Sequence, residues 1–177
     1  PVRTVMLLSN NPLDELKTIY LDYRSKTSVA LTKILMRRHW KCNCRYADTY
    51  PDFDFYNVPD NEGLVLIGDQ CYEMEDRYSV HTDLAIEWHK FTGMPFVFAS
   101  WVTNKSFSKS FIQKFNKALA YGVNNLDRVV KHYGNHGVMP PEVLNDYLTN
   151  NIDYILDREK IMAMNTFFKY LEDINEV

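Results

Sequence analysis

Short runs of β-forming residues alternate with helical spacing over the first part of the chain. The runs predict strands at Val2–Leu8, Thr18–Leu21, Asn43–Ala47, Gly63–Ile67 and Phe96–Trp101. Helical spacing begins at Thr27 and again at Leu84, where Asp83 is placed to cap the second helix. This alternation predicts an α/β sheet covered by helices, and the continuous apolar run of Gly63–Ile67 favours parallel neighbours. Between that run and Asp83, Gln70–His81 is predicted as a polar stretch without a strand.

After Trp101 the pattern becomes helical and contains no convincing strand. Amphipathic helices are predicted to start at Ser106 or Ser108, Asn125, Pro140-Pro141 and Asp157. Their apolar faces need a surface to cover. The pattern leaves three surfaces open, namely the sheet itself, a partner chain, or a domain that this sequence does not contain.

The turn before the first helix is rich in hydroxyl groups, with Ser25, Thr27 and Ser28. A helix N-terminus presents unpaired backbone N–H groups and the positive end of the macrodipole. Hydroxyls placed there either cap the helix or help to hold a carboxylate or phosphate. For Ser25 both roles stay open, as a cap or as an additional donor.

A second polar turn, Gly68-Asp69, follows the strand that ends at Ile67. In open α/β sheets ligands bind beyond the carboxyl ends of strands. We therefore expect this turn and the one that follows Leu21 to line one crevice. Gly68 would allow close approach of the backbone, and Asp69 either orients a substrate hydroxyl or only caps the next turn.

Composition and charge exclude several classes of protein. The net charge of −3 and the pI near 6.0 do not indicate a binder of nucleic acid or of a membrane surface. Three cysteines, an odd number, do not indicate a disulfide framework, so a reducing compartment is expected. No apolar run reaches the ~18 residues of a membrane span, and no signal peptide is recognisable.

Candidate metal and cofactor motifs are incomplete. Cys42 and Cys44 with His39 fall short of a zinc site, and the acidic loop Thr49–Asn61 lacks the spacing of a calcium loop. His132 and His136 are interrupted by a glycine that suggests a helix end. GxGxxG, P-loop, HExxH and GxSxG motifs are also absent, so the sequence contains no recognisable motif for a metal or a cofactor.

Several blocks together resemble the chorismate dehydratase family of the futalosine route to menaquinone. The blocks are PVRTVMLLSNNPLDELKTIYLD, SKTSVALTKILMRRHW, LVLIGD and DLAIEWHKFTGMPFVFASW, in that order over residues 1–101. Residues 102–177 resemble the family more loosely. The chain starts at Pro1, and the family's N-terminal portion with its S-Y-L-N motif is expected to be missing, which would leave these 177 residues inactive alone.

The resemblance implies a type II periplasmic-binding-protein-like fold in a cytoplasmic enzyme. Residues 1–8 would be a crossing strand from lobe one, residues 9–98 an α/β lobe two, and residues 99–177 a helical region that returns to lobe one. It also implies a hydro-lyase that converts chorismate to 3-[(1-carboxyvinyl)oxy]benzoate without a cofactor or metal. The partner is this small dicarboxylate, with no nucleic acid and no membrane, and association into homo-oligomers is left open.

The residues expected to bind the substrate are Ser25, Thr27, Ser28, Thr4, Gly68 and Asp69, with Thr27 and Ser28 as the main carboxylate anchor. No catalytic base is predicted. Either it lies in the expected missing portion, or the substrate uses its own carboxylate. Two other functions stay open: a lyase like the sister 1,4-dihydroxy-6-naphthoate synthase, and a module of the same fold that binds a small carboxylate without turnover.

Overall fold

The computed structural model describes residues 1–134 and 139–174, and among them five strands form one sheet. The strands are β1 (Val5–Ser9), β2 (Thr18–Leu21), β3 (Arg45–Asp48), β4 (Glu62–Ile67) and β5 (Val80–Asp83). Their order across the sheet is β3-β2-β4-β1-β5. The predicted α/β class is confirmed, since helices cover this sheet.

The sheet is mixed rather than parallel throughout. β2 runs parallel to β3 and β4, whereas β1 runs antiparallel to β4 and β5. The apolar run of β4 therefore has one parallel and one antiparallel neighbour. Such a run reports burial on both faces and does not fix strand direction: Val65 belongs to one core cluster, and Leu64 and Leu66 belong to the other.

Helices alternate with the strands and form most of the described chain after β5. They are α1 (Lys26–Ile34), α2 (Gln70–Glu73), α3 (Leu84–Thr92), α4 (Lys109–Val123), α5 (Leu126–Tyr133), α6 (Pro141–Asp146) and α7 (Arg158–Asp173). π-helical turns extend α1 over Leu35–Trp40 and α6 over Tyr147–Asn151, and short 3-10 turns lie at Leu13–Glu15 and Glu75–Arg77. None of the helices in the described ranges is long and apolar enough to cross a membrane.

Most of the predicted helix caps are confirmed. Asp83 accepts hydrogen bonds from the first turn of α3, and Ser108 and Asp157 do the same for α4 and α7. Gly93 ends α3 in the left-handed conformation, with φ +70°. Asn125 precedes α5 as predicted, but its side chain makes no capping bond.

Two strand predictions are corrected. Phe96–Trp101 forms no strand, because its apolar pattern reflects ring packing: Phe96 contacts Trp88 with ring centroids 5.3 Å apart. Conversely, β5 lies partly within the stretch that was predicted to be polar loop. It is an edge strand that pairs with β1 alone, so it needs no apolar run.

The core lies on both faces of the sheet. One face packs against α1, α3 and α7, with buried Leu31, Trp88 and Phe167. The other face is covered by the loop and turns on either side of β4, through Val58 and Tyr78. Alternate residues along each strand point to opposite faces, so both faces bury part of β1 and of β4.

The chain divides into two compact units, one made of Pro1–Phe98 with the chain from Leu156 onward, the other of Ala99–Ile155. The first contains the sheet. In the second, α4, α5 and α6 contain no fully buried residue among those the structure describes. The rings of Phe107 and Phe111 stack there with centroids 4.5 Å apart while both remain about half exposed. The assignment of segments to two lobes stays a prediction.

Candidate functional site

Three chain segments meet at the edge of the sheet where β2 and β4 end. The two strands are parallel neighbours, with Tyr20 opposite Leu64, so their carboxyl ends lie side by side. β1 starts at the same edge because Val5 pairs with Ile67. Just outside the ladder, the Gly68 amide donates to the Thr4 carbonyl at 2.8 Å. The predicted meeting of the two turns at one edge is thus present in the fold.

The first turn of α1 is closed by its own hydroxyls. Ser25 is the N-cap, and its Oγ accepts from the Ser28 amide at 3.2 Å. The Ser25 and Ser28 hydroxyls also share a hydrogen bond at 2.7 Å, and Ser28 is buried. Thr27 remains half-buried between them. Ser25 is therefore a helix cap, whereas the half-buried Thr27 hydroxyl makes no hydrogen bond to the residues that the structure describes.

The turn after β4 is more open. Gly68 has φ +70°, a left-handed conformation that favours glycine, and an added Cβ would meet no atom within 4 Å. Asp69 is exposed, and its side chain makes no capping hydrogen bond with α2. The capping alternative for Asp69 is therefore not realised. Its carboxylate remains accessible at the same edge.

Thr4 is buried at the start of β1, and its Oγ1 donates to the Val2 carbonyl at 3.4 Å. The residue before it, Arg3, has φ +61°, which is rare for a residue with a side chain. Asp83 holds Arg3 in place, because one carboxylate oxygen accepts from the Arg3 amide at 2.8 Å while the other caps α3. The N-terminus of α3 thereby positions the segment that carries Thr4.

Sequence reasoning missed a polar network at this edge, formed by Asp22, Arg24 and Gln70. Asp22 directly follows β2, and its buried carboxylate accepts from Arg24 Nε at 2.8 Å and Nη2 at 2.6 Å. Asp22 also accepts from the Ile67 amide, and Arg24 Nη2 donates to Gln70. The hydrogen bond with Asp22 raises the pKa of Arg24. The sequence signal for this network is only that Asp22, Arg24 and Gln70 lie within three residues of the end of a predicted strand.

Other candidate chemistry near the edge is inert. Cys71 is buried below the turn, and burial raises the pKa of its thiol to about 12, so it is neutral near pH 7.

Within the described ranges, no group of three or more His, Cys, Asp or Glu side chains is arranged to hold a metal ion. His136 lies outside the described residues. A cavity of about 390 Å³ is lined by Val123 and residues 149–155 of the second unit, and contains no predicted site residue.

Two chorismate dehydratases from other organisms are similar to this chain. The one from Thermus thermophilus is 26% identical over 189 residues, which cover 96% of this chain and 68% of that protein. The one from Campylobacter jejuni is 41% identical over 59 residues, which cover 32% of this chain and 26% of that protein.

A family model described as menaquinone biosynthesis matches residues 1–173. The match includes both turns at the carboxyl edge of the sheet and extends through α7. Because it spans nearly the whole chain, the protein belongs to this menaquinone biosynthesis family.

Proposed function

We propose that the protein is a chorismate dehydratase, a hydro-lyase that removes water from chorismate to give 3-[(1-carboxyvinyl)oxy]benzoate. The observation that carries this proposal is the similarity to the Thermus thermophilus enzyme over 96% of the chain. Membership of the menaquinone biosynthesis family supports the same assignment. A biosynthetic role of this kind fits an enzyme that acts in the cytoplasm on a small molecule.

The substrate carries two carboxylates, and the reaction makes its ring aromatic, which supplies much of the driving force. The enzyme therefore has to fix the carboxylates and orient the departing proton and hydroxyl. The first turn of α1 suits one carboxylate, because backbone amides and the Thr27 hydroxyl lie at the positive end of the helix. The hydrogen bonds between Ser25 and Ser28 keep this turn in shape.

The turn after β4 provides the other side of the proposed site. Gly68 lets the backbone approach the substrate, since an added Cβ would project into open space beside the edge. Asp69 is exposed there, and its side chain makes no capping hydrogen bond with α2. Its carboxylate is therefore available to orient the departing hydroxyl. Thr4 lies next to Gly68 through the bond between their backbones and completes the proposed set.

For the architecture we propose the type II periplasmic-binding-protein-like fold. The mixed five-stranded sheet with helices and turns on both faces supports this choice for residues 9–98. Residues 1–8 are then the crossing strand. The helical region predicted for residues 99–177 is divided, because α7 packs on the sheet, and only residues 99–155 are assigned to the other lobe.

The test is turnover of chorismate by the purified natural protein at full length. We expect an ultraviolet change as the ring becomes aromatic, with one product that matches 3-[(1-carboxyvinyl)oxy]benzoate by mass and chromatography. Tight binding of chorismate without a new product would identify a binding module instead. Turnover of a cyclic futalosine derivative, with no binding of chorismate, would assign the activity of the sister lyase.

A further inference from the structure

Asp22 and Arg24 form a fixed ion pair at the proposed site. The Asp22 side chain is 1% exposed, and it accepts from Nε and Nη2 of Arg24 in the fork geometry of a bidentate pair. The backbone amides of Arg24 and Ile67 donate to the same carboxylate at 3.0 and 3.3 Å. A buried carboxylate with these donors holds the guanidinium in one orientation.

The guanidinium spans the two strand ends. Arg24 follows β2, and its Nη2 also donates to Gln70 Oε1, in the first residue of α2 beyond β4. These bonds use Nε and Nη2, while Nη1 makes no hydrogen bond to the residues that the structure describes. The Arg24 side chain is 36% exposed, so two N–H donors remain available at the edge where the substrate is proposed to bind.

We propose that Arg24, oriented by Asp22 and Gln70, binds one of the two carboxylates of the substrate through its Nη1 edge. This inference rests on the proposed function and adds to it a residue that determines specificity for a dicarboxylate. The first turn of α1, which contains Thr27, then binds one carboxylate, and Arg24 binds the other.

Lys26, a second cation beside the turn, is less suited to this role. Lys26 is exposed, and no hydrogen bond orients its ammonium group among the described residues. A flexible lysine loses more conformational freedom on binding than a guanidinium that is already held. Because Asp22 balances the charge of Arg24, recognition at Arg24 depends on the direction of its N–H groups more than on net charge.

The test compares Arg24→Met and Arg24→Lys with the unsubstituted enzyme in steady-state kinetics. For Arg24→Met we expect KM for chorismate to rise ~10- to 100-fold, the loss typical of one charge-assisted hydrogen bond, with kcat changed less than ~3-fold. For Arg24→Lys we expect a KM between those of the unsubstituted enzyme and Arg24→Met, because lysine keeps the positive charge but lacks the planar guanidinium group. Arg37→Met, which removes an exposed arginine from the surface of the helical extension of α1, is the matched control and should leave KM unchanged.

Removing Arg24 alone leaves Asp22 buried and unpaired, so Arg24→Met could fail to fold. The double variant Asp22→Asn with Arg24→Met removes both charges and keeps the experiment informative. Binding of the product and of its two monomethyl esters provides a measurement that does not depend on catalysis. If Arg24 binds a carboxylate, the substitution weakens binding of the dicarboxylate and of one ester, and leaves the other ester unaffected.

The two proposals fail in different ways. If the unsubstituted protein turns over chorismate and KM stays the same in Arg24→Met and in the double variant, the role of Arg24 is refuted and the dehydratase assignment stands. Equal weakening of the dicarboxylate and both esters would also refute it, since that result indicates a general disturbance of the site. If the unsubstituted protein neither turns over nor binds chorismate, both proposals are refuted together.

Discussion

The ends of β2 and β4 lie side by side, yet they are built in different ways. Beyond β2 the polar groups are bonded to one another around two buried residues, Asp22 and Ser28: Asp22 pairs with Arg24, and Ser25 bonds Ser28. Beyond β4 the chain makes an open left-handed turn with an exposed carboxylate, at Gly68 and Asp69. One end is therefore held rigidly by hydrogen bonds, and the other leaves its functional groups to solvent.

This difference teaches that two turns which look equally polar in sequence contribute differently to stability and to binding. Buried polar groups that satisfy one another fix the geometry of a site. Exposed groups contribute little to stability and remain available to a ligand. We therefore expect substitutions of the buried carboxylate after β2, Asp22, to act on folding, and substitutions of the exposed carboxylate after β4, Asp69, to act mainly on turnover. Thr27 and Arg24 also follow β2, but their substitution is expected to act on substrate binding.

The largest effect is expected for Asp22→Ala. The substitution removes the acceptor of the Ile67 amide and the carboxylate partner of the Arg24 guanidinium, and should lower the free energy of unfolding by ~3 kcal/mol. This is the lower end for a broken buried pair, because Arg24 is partly exposed. Asp69→Ala removes the same group from the other turn, and should change stability by less than ~0.5 kcal/mol. Urea denaturation followed by circular dichroism measures both, and equal losses would remove the distinction between the two ends.

Gly68→Ala should have a smaller effect, of ~1 to 2 kcal/mol, since a side chain is disfavoured at φ +70°. Gly93 provides a matched control, because it has the same φ and equally open surroundings, but ends α3. Gly93→Ala should lower stability by a similar amount. Turnover measured well below the melting temperature should fall for Gly68→Ala alone. Similar loss of turnover in both variants would show that Gly68 has only a conformational role.

Much of the fold was predictable because its signals are local. The apolar run of β4 and the capping residue of α3 each identify an element within a few positions of sequence. The direction of β1 relative to β4 was not predictable, since the apolar run of β4 fits a parallel or an antiparallel neighbour. The strand expected at Phe96–Trp101 shows that aromatic residues of an irregular segment can produce the apolar pattern of a strand, since Phe96 packs on Trp88 and Phe98 packs on Phe96.

The edge where the predicted binding residues lie together was predictable to a similar extent. Hydroxyls and a glycine after two strand ends identify the edge where Thr27 and Gly68 lie. The pairing of Asp22 with Arg24 spans only two residues, but its meaning depends on Ile67 and Gln70, more than forty residues away in sequence. A single sequence does not reveal that such distant partners meet. The roles of the predicted binding residues stay predictions until they are measured.

The smallest changes in stability are expected for substitutions of two hydroxyl residues in one turn, Ser25 and Thr27. Ser25→Ala removes the cap that accepts from the Ser28 amide, and should lower the free energy of unfolding by ~1 kcal/mol. Thr27→Val keeps the size and branching of the side chain and removes only its hydroxyl, so stability should change by less than ~0.5 kcal/mol. For turnover we expect Thr27→Val to lower kcat/KM for chorismate ~10-fold, through the loss of one hydrogen bond to a carboxylate. If Thr27→Val keeps full turnover, the Thr27 hydroxyl does not contact the substrate, and Ser25 and Thr27 serve only to start α1.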